Sequence, residues 1–261
     1  MKILVSAICF INFDKPGAEI YEKYANRLIE DVIRKTPYDI RISTNAPEFF
    51  KDKVSQFPDR VSVYHDTLKN HYVAVHAFNQ LLKFIAIKDI DPKYEYVFYL
   101  DCDAGFTHIV DHELVSDYIQ KAKEEGFDMI AARTEVTYND QEKLFLETDE
   151  ERDLFQLPMF YRKLKYYGLN DEYRGSCFPS EHVFIIKNDD RLPVMCKKFE
   201  EFCYEYEKQI NTYPQCIDYE AFEIGVSAHL AGYKIKDMNT YGHSDILKIG
   251  FNYNNWERIK L

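Results

Sequence analysis

Tyr96-Val97-Phe98-Tyr99-Leu100 is apolar at every position and runs without a spacer into Asp101-Cys102-Asp103. A strand with one wet face alternates apolar and polar residues, so a run that does not alternate must be covered on both faces. Lys2 to Cys9 contains a second such run. Ile40-Arg41-Ile42-Ser43-Thr44-Asn45 and Val61-Ser62-Val63-Tyr64 are shorter strand-like segments. Between them Tyr21, Ala25, Leu28, Ile29, Val32 and Ile33 recur at helical spacing, as do Val73, Ala77, Leu81, Leu82, Ile85 and Ala86. The resulting β-α-β-β-α-β order predicts an α/β fold, Rossmann-like, with a mostly parallel central sheet flanked by helices.

The rest of the chain continues less regularly. Leu114 to Lys123 reads as a helix, Asp128 to Ala132 and His182 to Lys187 as strands, and the segment through Met195, Phe199 and Tyr206 as a helix. A further helix opens at Asp218, and Gly232 in Ala231-Gly232-Tyr233 sits where a helix C-cap glycine belongs. No repeat or domain boundary interrupts residues 1–261, which predicts a single domain.

Composition sets the bounds on function. Of 261 residues 46% are hydrophobic, with nine Gly and nine Pro, enough apolar material for a sizeable core and too little Gly and Pro for a linker-dominated chain. No apolar run approaches the roughly 20 residues of a membrane helix. The N-terminus reaches Asp14 and Lys15 too soon for a secretory leader, and the six cysteines form no CxxC pair. Reduced thiols and a cytoplasmic address are the expectation. A net charge of −11 gives no global attraction to nucleic acid or anionic lipid, which points to small anions held at a local site.

The chemistry-bearing feature is the carboxylate pair. Asp101 and Asp103 lie just past the carboxyl end of a buried strand, the edge at which open α/β sheets bind ligands. Two hard oxygen donors there suit Mg²⁺ or Mn²⁺, which take diphosphate oxygens as further ligands.

A buried strand ending in Asp-x-Asp after an N-terminal α/β half resembles the nucleotide-sugar-dependent glycosyltransferases of the GT-A fold. The resemblance is specific over residues 1–110, the nucleotide-sugar-binding half; residues 111–261, the acceptor-side half and tail, follow only in order of elements. It implies Asp103 as main metal ligand, with Asp101 on the metal or the donor ribose. It also implies base binding by Ala7, Ile8 and Phe10 at the first strand end and by Thr44 and Asn45 at the second. Asp218 or Glu220, in Ile217-Asp218-Tyr219-Glu220, would be the catalytic carboxylate, either as general base or as stabiliser of an oxocarbenium-like centre. His243 would complete the metal site and Lys248, five residues on, would meet a diphosphate oxygen. His182 resembles an acceptor-side position.

The function this implies is metal-dependent transfer of a hexosyl or pentosyl group from a nucleoside diphosphate, UDP first among them, to an acceptor hydroxyl on a glycan or a hydroxymethylated DNA base. Arg162, Lys163 and Lys165, interleaved with Tyr161, Tyr166 and Tyr167, are the local support for a DNA acceptor. Nucleotidyl transfer to a sugar phosphate is the alternative reaction, although Ile8-Cys9-Phe10-Ile11-Asn12 lacks its glycine-rich phosphate loop. A non-catalytic nucleotide-sugar-binding module is the alternative outside enzymology. Asn79 and Lys83 lie one helical turn apart; a solvated face is the first reading and a face turned to the donor the second.

Overall fold

The computed structural model describes residues 1–11, 19–66, 83–133, 179–210, 220–238 and 246–251. Strand β1 (Ile3–Cys9) leads through α1 (Glu19–Lys35) into β2 (Asp39–Thr44). A 3₁₀ turn (Pro47–Phe50), α2 (Lys51–Gln56) and β3 (Val61–His65) follow, then a helical turn at 83–87 and β4 (Tyr96–Leu100). Beyond the carboxylates come β5 (Ala104–Phe106), α3 (His112–Glu124), β6 (Met129–Arg133), β7 (Pro179–Lys187) and α4 (Arg191–Ile210). The described chain ends with α5 (Glu220–Leu230), β8 (Ile235–Met238) and β9 (Ile249–Phe251).

Seven strands form one sheet in the order β3-β2-β1-β4-β7-β6-β8. The neighbours β3/β2, β2/β1, β1/β4 and β6/β8 are parallel, and β7 runs antiparallel to both β4 and β6. This is the mostly parallel, helix-flanked α/β architecture expected. The alternation of β4 explains why it is apolar throughout. Tyr96, Phe98 and Leu100 enter a core shared with α1 and α3, whereas Val97 and Tyr99 enter a second core shared with the 83–87 turn, α4 and α5.

Local chemistry marks the helix ends. Asp111 caps α3, its carboxylate accepting the backbone N–H groups of Glu113 at 3.0 Å and Leu114 at 3.3 Å. At the far end of α5 the Gly232 N–H reaches His229 O and the Tyr233 N–H reaches Ala228 O, both at 2.9 Å. That is a Schellman closure around Gly232 at φ +84°, in agreement with the C-cap read from the sequence.

Two short strands stand apart from the main sheet. β5, which begins immediately after Asp103, pairs antiparallel with β9, matching Ala104 with Phe251 and Phe106 with Ile249. This ribbon ties the C-terminal segment to the strand that leaves the carboxylates. Among the described residues, no helix is long and apolar enough to cross a membrane.

Candidate active site

The strand order puts a topological switch point between β1 and β4. The chain leaves β1 toward β2 on one side and comes back through β3 to β4 on the other. The connections diverge there, and the carboxyl edge beside such a point is where open α/β sheets bind ligands. Asp101, Cys102 and Asp103 occupy that edge. The turn is fastened on both sides: the Asp101 N–H donates to His182 O at 3.1 Å and the Ala104 N–H donates to Asp101 O at 3.0 Å.

The Asp101 side chain is only 16% exposed and is tied down by three donors. Tyr99, two residues back on the same strand face, donates its hydroxyl to Oδ1 at 2.5 Å. Its ring is fully buried and stacks on Phe184, its partner across the β4/β7 pair, at 4.8 Å. His182 donates from Nδ1 to Oδ2 at 2.6 Å, and the Lys83 ammonium stands 3.5 Å from the same oxygen. Burial alone would raise the Asp101 carboxyl. The Lys83 charge and the His182 and Tyr99 hydrogen bonds outweigh it and hold the group below the ordinary carboxylate range.

Asp103 is in the opposite position. It is half-buried, and among the described residues no cationic side chain forms an ion pair with it. Burial and the neighbouring Asp101 charge push its carboxyl up against the weaker pull of its own backbone N–H, His182 and Lys83. One carboxylate of the pair is thus neutralised by the protein, and the other has no ion-pair partner among the described residues. Between them the Cys102 thiol turns into the core, in hydrogen-bonding contact with the Cys9 thiol. That bond, burial and the two aspartates hold it well above the usual thiol range, so it is not a poised nucleophile.

Lys83 corrects the sequence reading. It is 9% exposed rather than on a solvated face, and it owes its position to β1 and β2. The 83–87 turn ends in carbonyls that lack helical partners, and the Arg41 guanidinium supplies donors to four of them in this stretch. They are Ile85 at 3.2 Å, Ala86 at 2.7 Å, Lys88 at 2.6 Å and Asp89 at 3.2 Å. Ser6 bonds Ala86 O, and Ser43 bonds Ile85 O at 3.3 Å. Tyr64 packs under the guanidinium, 4.8 Å from ring centroid to Cζ. Burial brings the Arg41 pKa down to about 10, yet it stays a cation at neutral pH. The polar residues in otherwise apolar strands are therefore the fittings that deliver Lys83 to Asp101.

The other sequence candidates are distributed unevenly. Asn45 grips the end of β1, its Oδ1 accepting the Ile11 N–H and its Nδ2 donating to Ile11 O, both at 2.9 Å. Thr44 is fully buried, with Oγ1 accepting the Ala46 N–H at 3.0 Å, and Ala7 is likewise buried. Both therefore form the floor of the edge rather than its surface. Ile8 and Phe10 are half-buried. Lys248 immediately precedes β9 in a left-handed conformation at φ +54°. Its carbonyl accepts the Thr107 N–H at 2.7 Å and hydroxyl at 2.9 Å, which fixes it on the β5/β9 ribbon.

Glu220 is the first residue of α5. Its side chain lies outside the described residues, as do Asp218, His243, Asn79 and the 161–167 patch. Among the described residues no cluster of three or more His, Cys, Asp or Glu is placed to hold a metal ion. One residue passed over in the sequence joins the site. Tyr21, read as part of a helix face, is 49% exposed near the start of α1, and burial together with Cys102, Asp103 and Asp101 pushes its hydroxyl up. A spacing rule sees its helical period and not the neighbours brought to it by the sheet.

No family model matches the chain, and no curated protein matches it. Among solved structures it is similar to mouse xyloside xylosyltransferase 1 in its apo form, with a TM-score of 0.49 and 9% sequence identity over 97% of this chain and 98% of that one. At that level of likeness no residue role passes from one chain to the other.

Proposed function

We propose that this chain is a metal-dependent glycosyltransferase that moves a sugar from a nucleoside diphosphate, UDP-linked, to an acceptor hydroxyl. The observation that carries the reading is the unequal carboxylate pair at the switch point: Asp101 is neutralised by Lys83, His182 and Tyr99, while Asp103 is half-buried, raised and without an ion-pair partner among the described residues. A half-buried carboxylate in that state fits a hard divalent cation, which is commonly held by one or two carboxylates with water and phosphate filling the other positions.

Asp103 would hold Mg²⁺ or Mn²⁺, with His243 as a second ligand. When bound, the cation supplies positive charge against the diphosphate leaving group. The chain's own residues do the rest. Asp101 keeps the turn fixed and holds the Lys83 ammonium and His182 imidazole at the crevice. Lys248 meets a diphosphate oxygen from the β5/β9 ribbon. Asn45, by gripping Ile11, shapes the end of β1 on which the base would lie. Asp218, or Glu220 at the start of α5, acts at the anomeric side as base or as charge stabiliser.

The test is calorimetry of UDP binding with and without Mn²⁺ on the native chain and on Asp103→Ala, followed by hydrolysis of a panel of UDP-sugars. Mn²⁺-dependent binding that Asp103→Ala abolishes, with slow hydrolysis of one sugar, is the expected result. No UDP binding under either condition would overturn the UDP-sugar donor. A steep fall of transfer with salt would identify a DNA acceptor over a glycan.

A further inference from the structure

A cavity of about 580 Å³ lies between the segment 84–92 and the first half of α4; Asp101, Asp103, Lys83 and His182 are not among its described lining residues, though it shares with the site the Ile85, Lys88 and Asp89 stretch that Arg41 holds. Half of its described lining residues are apolar. Phe84 and Ile87 line it from one side and Leu192 and Cys196 from the other, and Phe84 also stacks on Phe199 of α4. Leu192 and Cys196 are one turn apart on α4, so one side of the cavity is a helix face, and the segments 88–92 and 188–190 complete it. The volume falls within the range of sites that enclose small organic molecules, roughly 300–1,000 Å³.

Among the described lining residues carboxylates outnumber ammonium groups: Asp89, Asp189, Asp190 and Glu200, with Asp66 engaged elsewhere, against Lys88 and Lys197. Asp189 is engaged by Arg191 and Lys187, and Asp89 accepts the Tyr64 hydroxyl, while the exposed Asp190 and the half-buried Glu200 form no ion pair among the described residues. The buried Cys196 thiol registers the same field. Burial first, and then the Asp89 and Glu200 charges against Lys88 and Arg41, push it up to about 12.

We propose that this cavity is a second binding site, separate from the carboxylate crevice, for a small organic cation: an ammonium on an apolar body, the body between Phe84 and Leu192 and the charge at the acidic rim. A partly apolar cavity whose described lining carries more carboxylates than ammonium groups discriminates by charge sign. A matched anion meets repulsion there, and a free metal ion or polyamine leaves the apolar walls unfilled.

Phenylbutylamine, phenylbutanol and phenylbutyrate share one body and differ in charge, and their binding to the full chain is measured by calorimetry and thermal shift. The amine is expected to raise Tm and to bind at least about tenfold tighter than the carboxylate, a difference of about 1.4 kcal/mol. Cys196→Phe, which fills the cavity, removes binding of all three. Asp190→Lys combined with Glu200→Lys, at the rim, reverses the preference between amine and carboxylate. Equal binding of amine and carboxylate, no binding at millimolar concentration, or amine binding that survives Cys196→Phe would each overturn the proposal. Should Cys196→Phe fail to fold, the rim variant decides alone, because a preference that does not change there also overturns it.

Discussion

Asp101 and Asp103 are identical in kind and two positions apart, yet their surroundings give them opposite tasks. The Lys83 ammonium and the Asp101 carboxylate have side chains 11% and 16% exposed, so removing one leaves a largely buried charge with fewer partners. Lys83→Met is expected to cost about 2–3 kcal/mol in denaturant unfolding, below the ~3–5 typical of a broken buried pair because His182 and Tyr99 still hold Asp101. Asp103 predicts the reverse. Its carboxyl is raised in the fold, so its charged form destabilises the metal-free protein at neutral pH. Asp103→Asn should therefore raise Tm without metal while abolishing the Mn²⁺-dependent rise; a lower Tm without metal would contradict the assignment. The sequence displayed the carboxylates and the strand before them, but not the parts of Lys83 and Tyr21, which reach that edge from other elements; Tyr99 is only two residues from Asp101, and its apolar strand context hid the role of its hydroxyl.

Elements show where pattern suffices and where it does not. A strand covered on both faces announces itself by continuous apolarity, and β1 and β4 were read correctly for that reason. Direction is another matter: β7 was legible as a strand, but nothing in Val183-Phe184-Ile185-Ile186 says that it enters antiparallel between β4 and β6, since apolar side chains fill either orientation equally well. The order matters for the site because His182 lies one residue beyond the Leu100–Val183 pair, beside Asp101. Helix ends are the legible extreme. Gly232 needs φ +84°, and a Cβ there would meet only Arg191 Cδ at an ordinary 3.9 Å, so the cost of a side chain is backbone strain and not a clash. Gly232→Ala should lower stability by about 1–2 kcal/mol in a urea melt, the left-handed penalty of an L-residue.

At the scale of the whole molecule, one ion-pair network closes the sheet edge opposite the candidate site. Arg191 at the start of α4 bonds Asp189, Asp128 before β6 and the Gly232 carbonyl before β8, and Tyr233 donates to Lys187 O. The hydrogen bonds and charge of Arg191 and Lys187 outweigh burial and hold Asp189 down at about 2. A carboxylate depressed in the fold stabilises it above the unfolded pKa and loses that contribution as pH falls to the folded one. The loss should run between about pH 4 and pH 2 and amount to about 2 kcal/mol. Tm measured across that window should fall less steeply for Asp189→Asn, and an unchanged slope would refute the linkage. What the sequence by itself determined is the class of fold, the position of the carboxylate pair at the end of a doubly buried strand and the glycine that closes α5. These follow from side-chain period and local backbone sterics, which act over a few residues. Tertiary structure alone decided that Asp101 would be neutralised and Asp103 would not, because Lys83 and His182 stand 18 and 81 positions away and reach that edge only after the sheet has assembled.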